Sequence, residues 1–309
     1  MQPSDVPPPL TLDALDTWPV TGCDLAVLGQ PVAHSLSPAM HHAALSALAQ
    51  TLPPLREWRY HKFEVAPADL PVALPRFAEA GFRGLNLTLP HKIQAVDLVE
   101  QIAAEGKRAG AVNTLRLIPE TGRYAGYNTD GFGLLKALER DLGVDSSAQP
   151  AVLLGAGGAA RAAAMALLGA NCPQLWLANR SPEPLAQLKL SVATHFPDGP
   201  VTAYPLGELP ALPEGAVIVN ATSLGLKPND PCPLPVPLQT GHRVYDMTYG
   251  CDNALAQKAR EASAAYADGL SMLVWQGQRA LEIWTGVPVP AQPMMLAACA
   301  AKGMPAREV

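Results

Sequence analysis

AVLLGAGGAARAAAMALLG, residues 151–169, is the stretch on which the fold turns. Ala151 to Leu154 is a short apolar run, which predicts a buried strand. Gly155-Ala156-Gly157-Gly158-Ala159-Ala160 follows at once, and the alanine-rich run after it predicts a helix. The pattern is G-x-G-x-x-A with a strand before it and a helix after it, the context that such glycines require to mean anything. The first glycine allows a tight turn, and the second lets a pyrophosphate approach the backbone. The small residue at the end of the pattern lets helix and strand pack closely, and the helix N-terminus offers unpaired N–H groups to phosphate charge. Without that context the same letters would be no more than an Ala/Gly-rich helix start.

Working outward, Leu175 to Ala178 predicts a second strand, and Ser181-Pro182 an N-cap and first helical position for the next helix. VTAYPLG, Ala216 to Val219 and HRVYDMTY predict further strands. Strand and helix alternate, as in a parallel doubly wound sheet. Asn179-Arg180-Ser181 stands about 24 residues past Gly155, where NAD sites carry an acid for the ribose hydroxyls. No acid is present. A carboxylate would repel a 2′-phosphate and an arginine fork would bind it, so the cofactor expected is NADP, unless Arg180 is merely a surface cation.

The N-terminal third also alternates. DLAVLGQPV, EWRYHKFEV and FRGLNLTLP predict strands, the last with Leu85, Leu87 and Leu89 on one face and Asn86 and Thr88 on the other. SPAMHHAALSALAQ predicts a helix capped by Ser37, and HKIQAVDLVEQIAAEGKRAG a second helix. AVNTLRLI and RYAGYN predict strands paired around a PETG turn. Ser35 and Ser37, at i and i+2 in an expected extended segment, would face the same way at a helix N-terminus, a natural cradle for a carboxylate. Taken alone, Ser37 reads as an N-cap and Lys92 as a solvated cation. GYNTDGFGLLKALERDLG predicts a connector running into a helix near Asp130. The C-terminal LSMLVWQGQRALEIWTGVPVP and QPMMLAACAAK predict two helices split by prolines.

Bulk properties bound the function. The chain has 309 residues, 49% hydrophobic and 16% charged, enough for about two domains and too apolar for a disordered chain. A net charge of −5 without a Lys/Arg run argues against nucleic-acid binding. The opening MQPSDVPPPLTLDAL has no signal-peptide pattern and reads as a mobile extended arm, and no apolar stretch reaches membrane-spanning length. Five scattered cysteines without a C-x-x-C pair predict reduced thiols in the cytoplasm, not a zinc site.

LGQPVAHSLSPAMH, GLNLTLPHK, AGAVNTL, GYNTDGFG, LLGAGGAARA, ANRS, VNATSLGL, YDMTY and DGLSMLVWQ occur in the order and at the separations found in shikimate dehydrogenases. From about Leu25 to Pro290 the chain resembles that family. The resemblance implies an α/β fold of two domains: an N-terminal α/β substrate domain (residues 21–129), a Rossmann-like doubly wound NADP-binding domain (130–269), and C-terminal helices (270–309) returning to the substrate domain, with residues 1–20 as a proline-rich arm. It implies reversible, NADPH-dependent reduction of 3-dehydroshikimate to shikimate, a precursor of chorismate and the aromatic amino acids. Lys92 then matches the catalytic lysine and Asp130 the aspartate paired with it. Ser35 and Ser37 match carboxylate-binding serines, Asn86 and Asn113 hydroxyl-holding asparagines, and Thr88, Tyr249 and Gln276 further substrate contacts. Gly155, Ala156, Gly157, Gly158 and Ala159 match the phosphate turn, Asn179, Arg180 and Ser181 the NADP-selecting segment, and Thr222, Met247 and Gly269 positions near the nicotinamide. No metal is implied. The expected partners are the small-molecule substrate and NADP, with no nucleic acid and no membrane, and a homodimer is an open alternative to a single chain.

The chain departs from the family in three places. Glu183-Pro184 stands where a second basic residue is common, Gly250-Cys251-Asp252-Asn253 lacks a frequent proline, and Ser271 replaces a frequent glycine. The first departure predicts a weaker hold on the 2′-phosphate. Competing readings are a quinate/shikimate dehydrogenase with NAD or mixed cofactor use, a non-catalytic NADP-binding regulator, which would be expected to lack Lys92 or Asp130, and a folate-linked dehydrogenase, which would leave the paired serines unexplained.

Overall fold

The computed structural model describes residues 8–227 and 229–309. The chain divides into two compact units, one holding residues up to Thr129 together with Gly277–Glu308, the other Asp130–Gln276.

The first unit is built from β1 (Asp24–Gly29), α1 (Ser37–Leu48), β2 (Arg59–Glu64), α2 (Leu70–Glu79), β3 (Phe82–Leu87), α3 (His91–Gln94), β4 (Gln101–Ile102), α4 (Ala104–Ala109), β5 (Thr114–Ile118) and β6 (Arg123–Tyr127). Its sheet runs β2-β1-β3-β5-β6-β4, parallel from β2 to β3, with β5 antiparallel to both β3 and β6. Strand alternation divides the faces. Phe63 and Phe82 turn toward α2, where they meet Phe77 edge to face, with centroids 4.8 and 4.9 Å from it. Tyr60 turns the other way, toward His41 of α1.

The second unit carries α5 (Asp130–Leu142), β7 (Ala151–Leu154), α6 (Gly158–Gly169), β8 (Leu175–Asn179), α7 (Pro182–His195), β9 (Val201–Pro205), β10 (Val217–Asn220), β11 (Arg243–Asp246), α8 (Ala254–Glu261) and β12 (Ala265–Asp268). The sheet order is β12-β11-β10-β7-β8-β9, parallel throughout. Every residue of β7 and β10 is buried. Leu153 and Val219 join one core with α5, α6 and α7, while Val152 and Ile218 join another on the opposite face. Burial on both faces is why these strands read as unbroken apolar runs. The unit boundary at Gln276/Gly277 falls inside α9 (Leu270–Thr285), and α10 (Ala291–Lys302) packs on α1 in the first unit.

Three expectations change. HKIQAVDLVEQIAAEGKRAG is not one helix. Its first turn ends at Gln94, Gln101–Ile102 pairs with β6, and α4 stops at Gly110, which takes a left-handed φ of 59°. The N-terminal arm is not loose over its described part. Leu10 donates to Lys62 O and accepts from Glu64 N, both at 2.9 Å, and Leu15 is buried in the aromatic core. Residues 1–7 of that expected arm lie outside the described residues. Leu89, expected on an apolar face, is 74% exposed, because β3 has already ended at Leu87.

Gly84 shows how tightly the first unit is packed. A β-carbon there would collide with the Trp284 indole, whose Nε1 donates to Leu115 O at 2.8 Å. Gly84→Ala is expected to lower stability by about 1–3 kcal/mol through overpacking, read as an earlier urea midpoint. An unchanged midpoint would contradict the fixed placement of Trp284.

Candidate functional site

In the first unit the polar residues gather where β1 and β3 end. Thr88 N donates to Leu28 O at 3.0 Å, Leu87 N to Asn113 O at 2.8 Å, His91 N to Thr88 O at 3.0 Å, and Val112 N to Lys92 O at 2.8 Å. The segment carrying Thr88 and Lys92 is therefore tied to β1 on one side and to the entry of β5 on the other. Its lysine stem starts from a fixed backbone, which is what a positioned acid needs. Lys92 and Thr88 are half-buried.

Asn86 and Asn113 are 6% and 2% exposed, so each must find its partners inside the protein. Asn86 Nδ2 donates to Asn113 O and to Thr114 Oγ1, both at 3.1 Å, and Asn86 Oδ1 accepts from the Tyr60 hydroxyl at 2.7 Å. Asn113 Nδ2 donates to Thr129 Oγ1 at 3.0 Å, and Asn113 Oδ1 accepts from Thr129 N at 2.9 Å. Asp130 follows directly in the chain as the first residue of α5 and is buried. The residue before Thr129 is also held, since Asn128 Nδ2 donates to Ala111 O at 3.0 Å.

The serine segment is a turn, not an extended strand. Leu36 takes the αR conformation (φ −83°, ψ −10°) and is the N-cap, and Ser37 is the first helical residue with Pro38 behind it. Ser35 N donates to Val32 O at 3.0 Å and Ser35 Oγ accepts from Ser37 N at 3.3 Å. The two serines still stand together at the start of α1, with Ser37 buried and Ser35 half-buried. Lys62 Nζ donates to Ala33 O at 3.0 Å and so ties this turn to β2.

In the second unit Gly155 takes φ +110°, open to glycine at little cost, and a β-carbon there would press on Ala221 O at 3.0 Å. Gly155 N donates to Ala178 O at 2.8 Å, so the ends of β7, β8 and β10 meet under the turn. Among the described residues, Gly157 caps α6 without any side-chain acceptor, and β-carbons added at Gly157 or Gly158 would meet nothing within 4 Å. Open space above bare helix N–H groups fits a pyrophosphate. Gly157, Gly158 and Ala159 are exposed and Ala156 half-buried. Asn179 Nδ2 donates to Ser181 O at 2.9 Å, Ser181 caps α7, and Arg180 between them is exposed.

Thr222 is held by Asn220. Its N–H and hydroxyl donate to Asn220 Oδ1 at 3.1 and 2.7 Å. Asn220 Nδ2 donates in turn to Asp246 Oδ1 at 2.9 Å, and that same oxygen accepts from Thr248 N and its hydroxyl at 2.9 Å. Met247 N donates to Asn220 O at 3.0 Å and Gly269 N to Thr248 O at 3.0 Å, and a β-carbon on Gly269 would run into Met247 O. The buried Asn220–Asp246 pair organises all three cofactor-side residues expected here. Sequence reading missed it because an Asn and an Asp at the ends of different strands carry no pattern until the strands pair. Gln276 Nε2 donates to Leu273 O at 2.8 Å. Burial, helped by the Asp268 carboxylate, pushes the Tyr249 hydroxyl pKa up, which keeps it a neutral donor.

Among the described residues no cluster of three or more His, Cys, Asp or Glu could hold a metal ion, and no helix is long and apolar enough to cross a membrane. All five cysteines are free thiols.

The chain matches the family models described as the shikimate dehydrogenase substrate binding domain, over residues 27–115, and the shikimate 5'-dehydrogenase C-terminal domain, over 269–298. It is 42% identical to the NADP(+) shikimate dehydrogenase of Moorella thermoacetica, across 87% of this chain and 90% of that one. The crystal structure of shikimate 5-dehydrogenase from Thermus thermophilus in complex with NADP(H) and shikimate superposes with a TM-score of 0.75 at 34% identity, covering 90% of this chain and 99% of that one. Quinate dehydrogenase from Corynebacterium glutamicum in complex with NAD gives a TM-score of 0.77 at 26% identity, covering 88% and 96%.

Proposed function

The chain belongs to the shikimate dehydrogenase family, and from that premise we propose that it catalyses the reversible NADPH-dependent reduction of 3-dehydroshikimate to shikimate. The observation that carries the reading is the pinned Thr88–Lys92 segment, whose lysine backbone is bonded to that of Val112, next to the buried Asn113.

On this reading side chains of the first unit make most of the substrate contacts. Ser35 and Ser37 hydroxyls bind its carboxylate, and Asn86 and Asn113, with Thr88, Tyr249 and Gln276, take its hydroxyls. The glycine turn Gly155–Ala159, Arg180 and the Thr222, Met247 and Gly269 backbone hold NADP. When bound, NADPH supplies the hydride that reduces the carbonyl carbon. As charge builds on the carbonyl oxygen, the Lys92 ammonium donates a proton to it, and the product is the alcohol. In the other direction neutral Lys92 accepts that proton from the hydroxyl. Asp130 orients the lysine and accepts from a substrate hydroxyl. The working place is the cytoplasm, consistent with unpaired thiols. The partners are substrate and NADP, without nucleic acid or membrane, and assembly as a homodimer is read by light scattering.

Absorbance at the NADPH band, with shikimate or quinate and NADP or NAD, tests the proposal. The shikimate–NADP pair is expected to have the highest kcat/KM. A preference for quinate with NAD would favour the rival reading, to which the exposed Glu183-Pro184 lends support. No reduction with any pair would remove the enzymatic reading.

A further inference from the structure

Behind Asn86 lies a group that the proposed mechanism does not use. The Tyr60 ring is 2% exposed and stacks on His41, with centroids 4.1 Å apart and planes 7° from parallel. His41 is fully buried, and neither of its ring nitrogens has a hydrogen-bond partner among the described residues. Burial, with His42 acting in the same direction and Asn86 opposing both, pushes its pKa down to about 3, so a neutral ring backs the phenol at any working pH. Trp284 closes the stack, its centroid 5.6 Å from that of His41 and 6.2 Å from that of Tyr60. The tyrosine is wedged, and its one proton points to one acceptor, Asn86 Oδ1 at 2.7 Å. Burial raises the Tyr60 pKa, with the Ser37 hydroxyl opposing that rise, so the phenol keeps its proton.

The hydrogen bonds of Asn86 can then be counted. Both N–H donors are committed, to Asn113 O and Thr114 Oγ1. One lone pair of Oδ1 takes the Tyr60 proton. A second lone pair is what remains. Turning the amide over would set its oxygen against the Asn113 carbonyl and lose both donor bonds. We infer that Tyr60 is a positioning residue: with both Asn86 donors held by Asn113 O and Thr114 Oγ1, its proton fills one acceptor site of Oδ1 and fixes the amide, so that a ring hydroxyl must bind by donating to the other. The inference rests on the reading that Asn86 touches the substrate.

Tyr60→Phe keeps the ring and the His41 stack and removes the proton. The expected result is a KM for shikimate raised about three- to tenfold, the worth of one hydrogen bond, with kcat within about twofold and KM for NADP unchanged. In an Asn86→Ala background the same substitution is expected to add nothing, an outcome that a merely structural role would not produce. p-Aminophenylalanine at position 60 keeps an N–H donor at the same ring position. It is expected to hold KM near that of the parent, and it tests the idea even if the phenylalanine variant does not fold. A raised KM in the aminophenylalanine variant, a folded Tyr60→Phe with unchanged KM, or equal effects of Tyr60→Phe with and without Asn86 would each overturn the positioning role. Asn86→Ala alone separates the two levels. If it leaves KM for shikimate untouched, the substrate reading of Asn86 fails and this inference with it. If it raises KM while Tyr60→Phe does not, only the inference fails.

Discussion

Lys92→Ala is expected to lower kcat for shikimate oxidation by about 10²–10⁴-fold, the usual worth of a positioned acid or base, while NADP affinity stays within about twofold of the parent. The asymmetry follows from construction. The glycine turn is braced by Ala178 and Ala221 inside the second unit, which has its own cores, whereas Lys92 belongs to the first. Truncating the side chain leaves its backbone carbonyl bonded to Val112 N, so the segment keeps its shape. Lys92→Arg is expected to be nearly as slow in oxidation, since a guanidinium keeps its charge but cannot accept the hydroxyl proton. Turnover is read from NADPH absorbance and NADP affinity from fluorescence titration. Near-parent turnover in folded Lys92→Ala would remove the acid/base assignment.

Arg180→Ala carries the second large effect. An arginine–phosphate contact has the strength of a charged hydrogen bond, so KM for NADP is expected to rise about ten- to a hundredfold while KM for NAD stays nearly constant. Arg180 is exposed and sits between Asn179, whose amide holds the turn, and Ser181, which caps α7, so its loss disturbs no packing. The residue four positions on is Pro184 and not a second cation, so in the proposed reading the discrimination falls on Arg180. Equal changes for NADP and NAD would mean that Arg180 does not read the 2′-phosphate.

The parts of this molecule that could be read from sequence are those where local geometry demands a residue type. Gly155 must reach φ +110° and Gly157 must leave the helix end bare, so strand, turn and helix announce themselves together. The β7 and β10 runs are apolar because both faces are covered. Where tertiary contacts outvote local pattern, the reading failed. Residues 91–110 have helical composition, yet Lys92 O bonds to Val112 and Gln101–Ile102 pairs with β6, which breaks them into short pieces. The prolines near the N-terminus suggested a loose arm, while Leu10 and Leu15 anchor its described part to a sheet edge and a core that lie far along the chain. Tyr60 lies in a run that reads only as a strand, and His41 in one that reads only as a helix. Their place behind Asn86 exists only once β2, β3 and α1 are assembled. Asn220 and Asp246 were hidden for the same reason.

In the proposed mechanism Lys92 and Asp130 serve one proton transfer, and a double-mutant cycle in kcat addresses that directly. With Lys92→Ala, Asp130→Asn and the pair compared under saturating shikimate and NADP, the double variant is expected to be about as slow as Lys92→Ala alone, because groups that serve one proton transfer lose their effect together. Losses that multiply in the double variant would show two independent contributions and contradict the account.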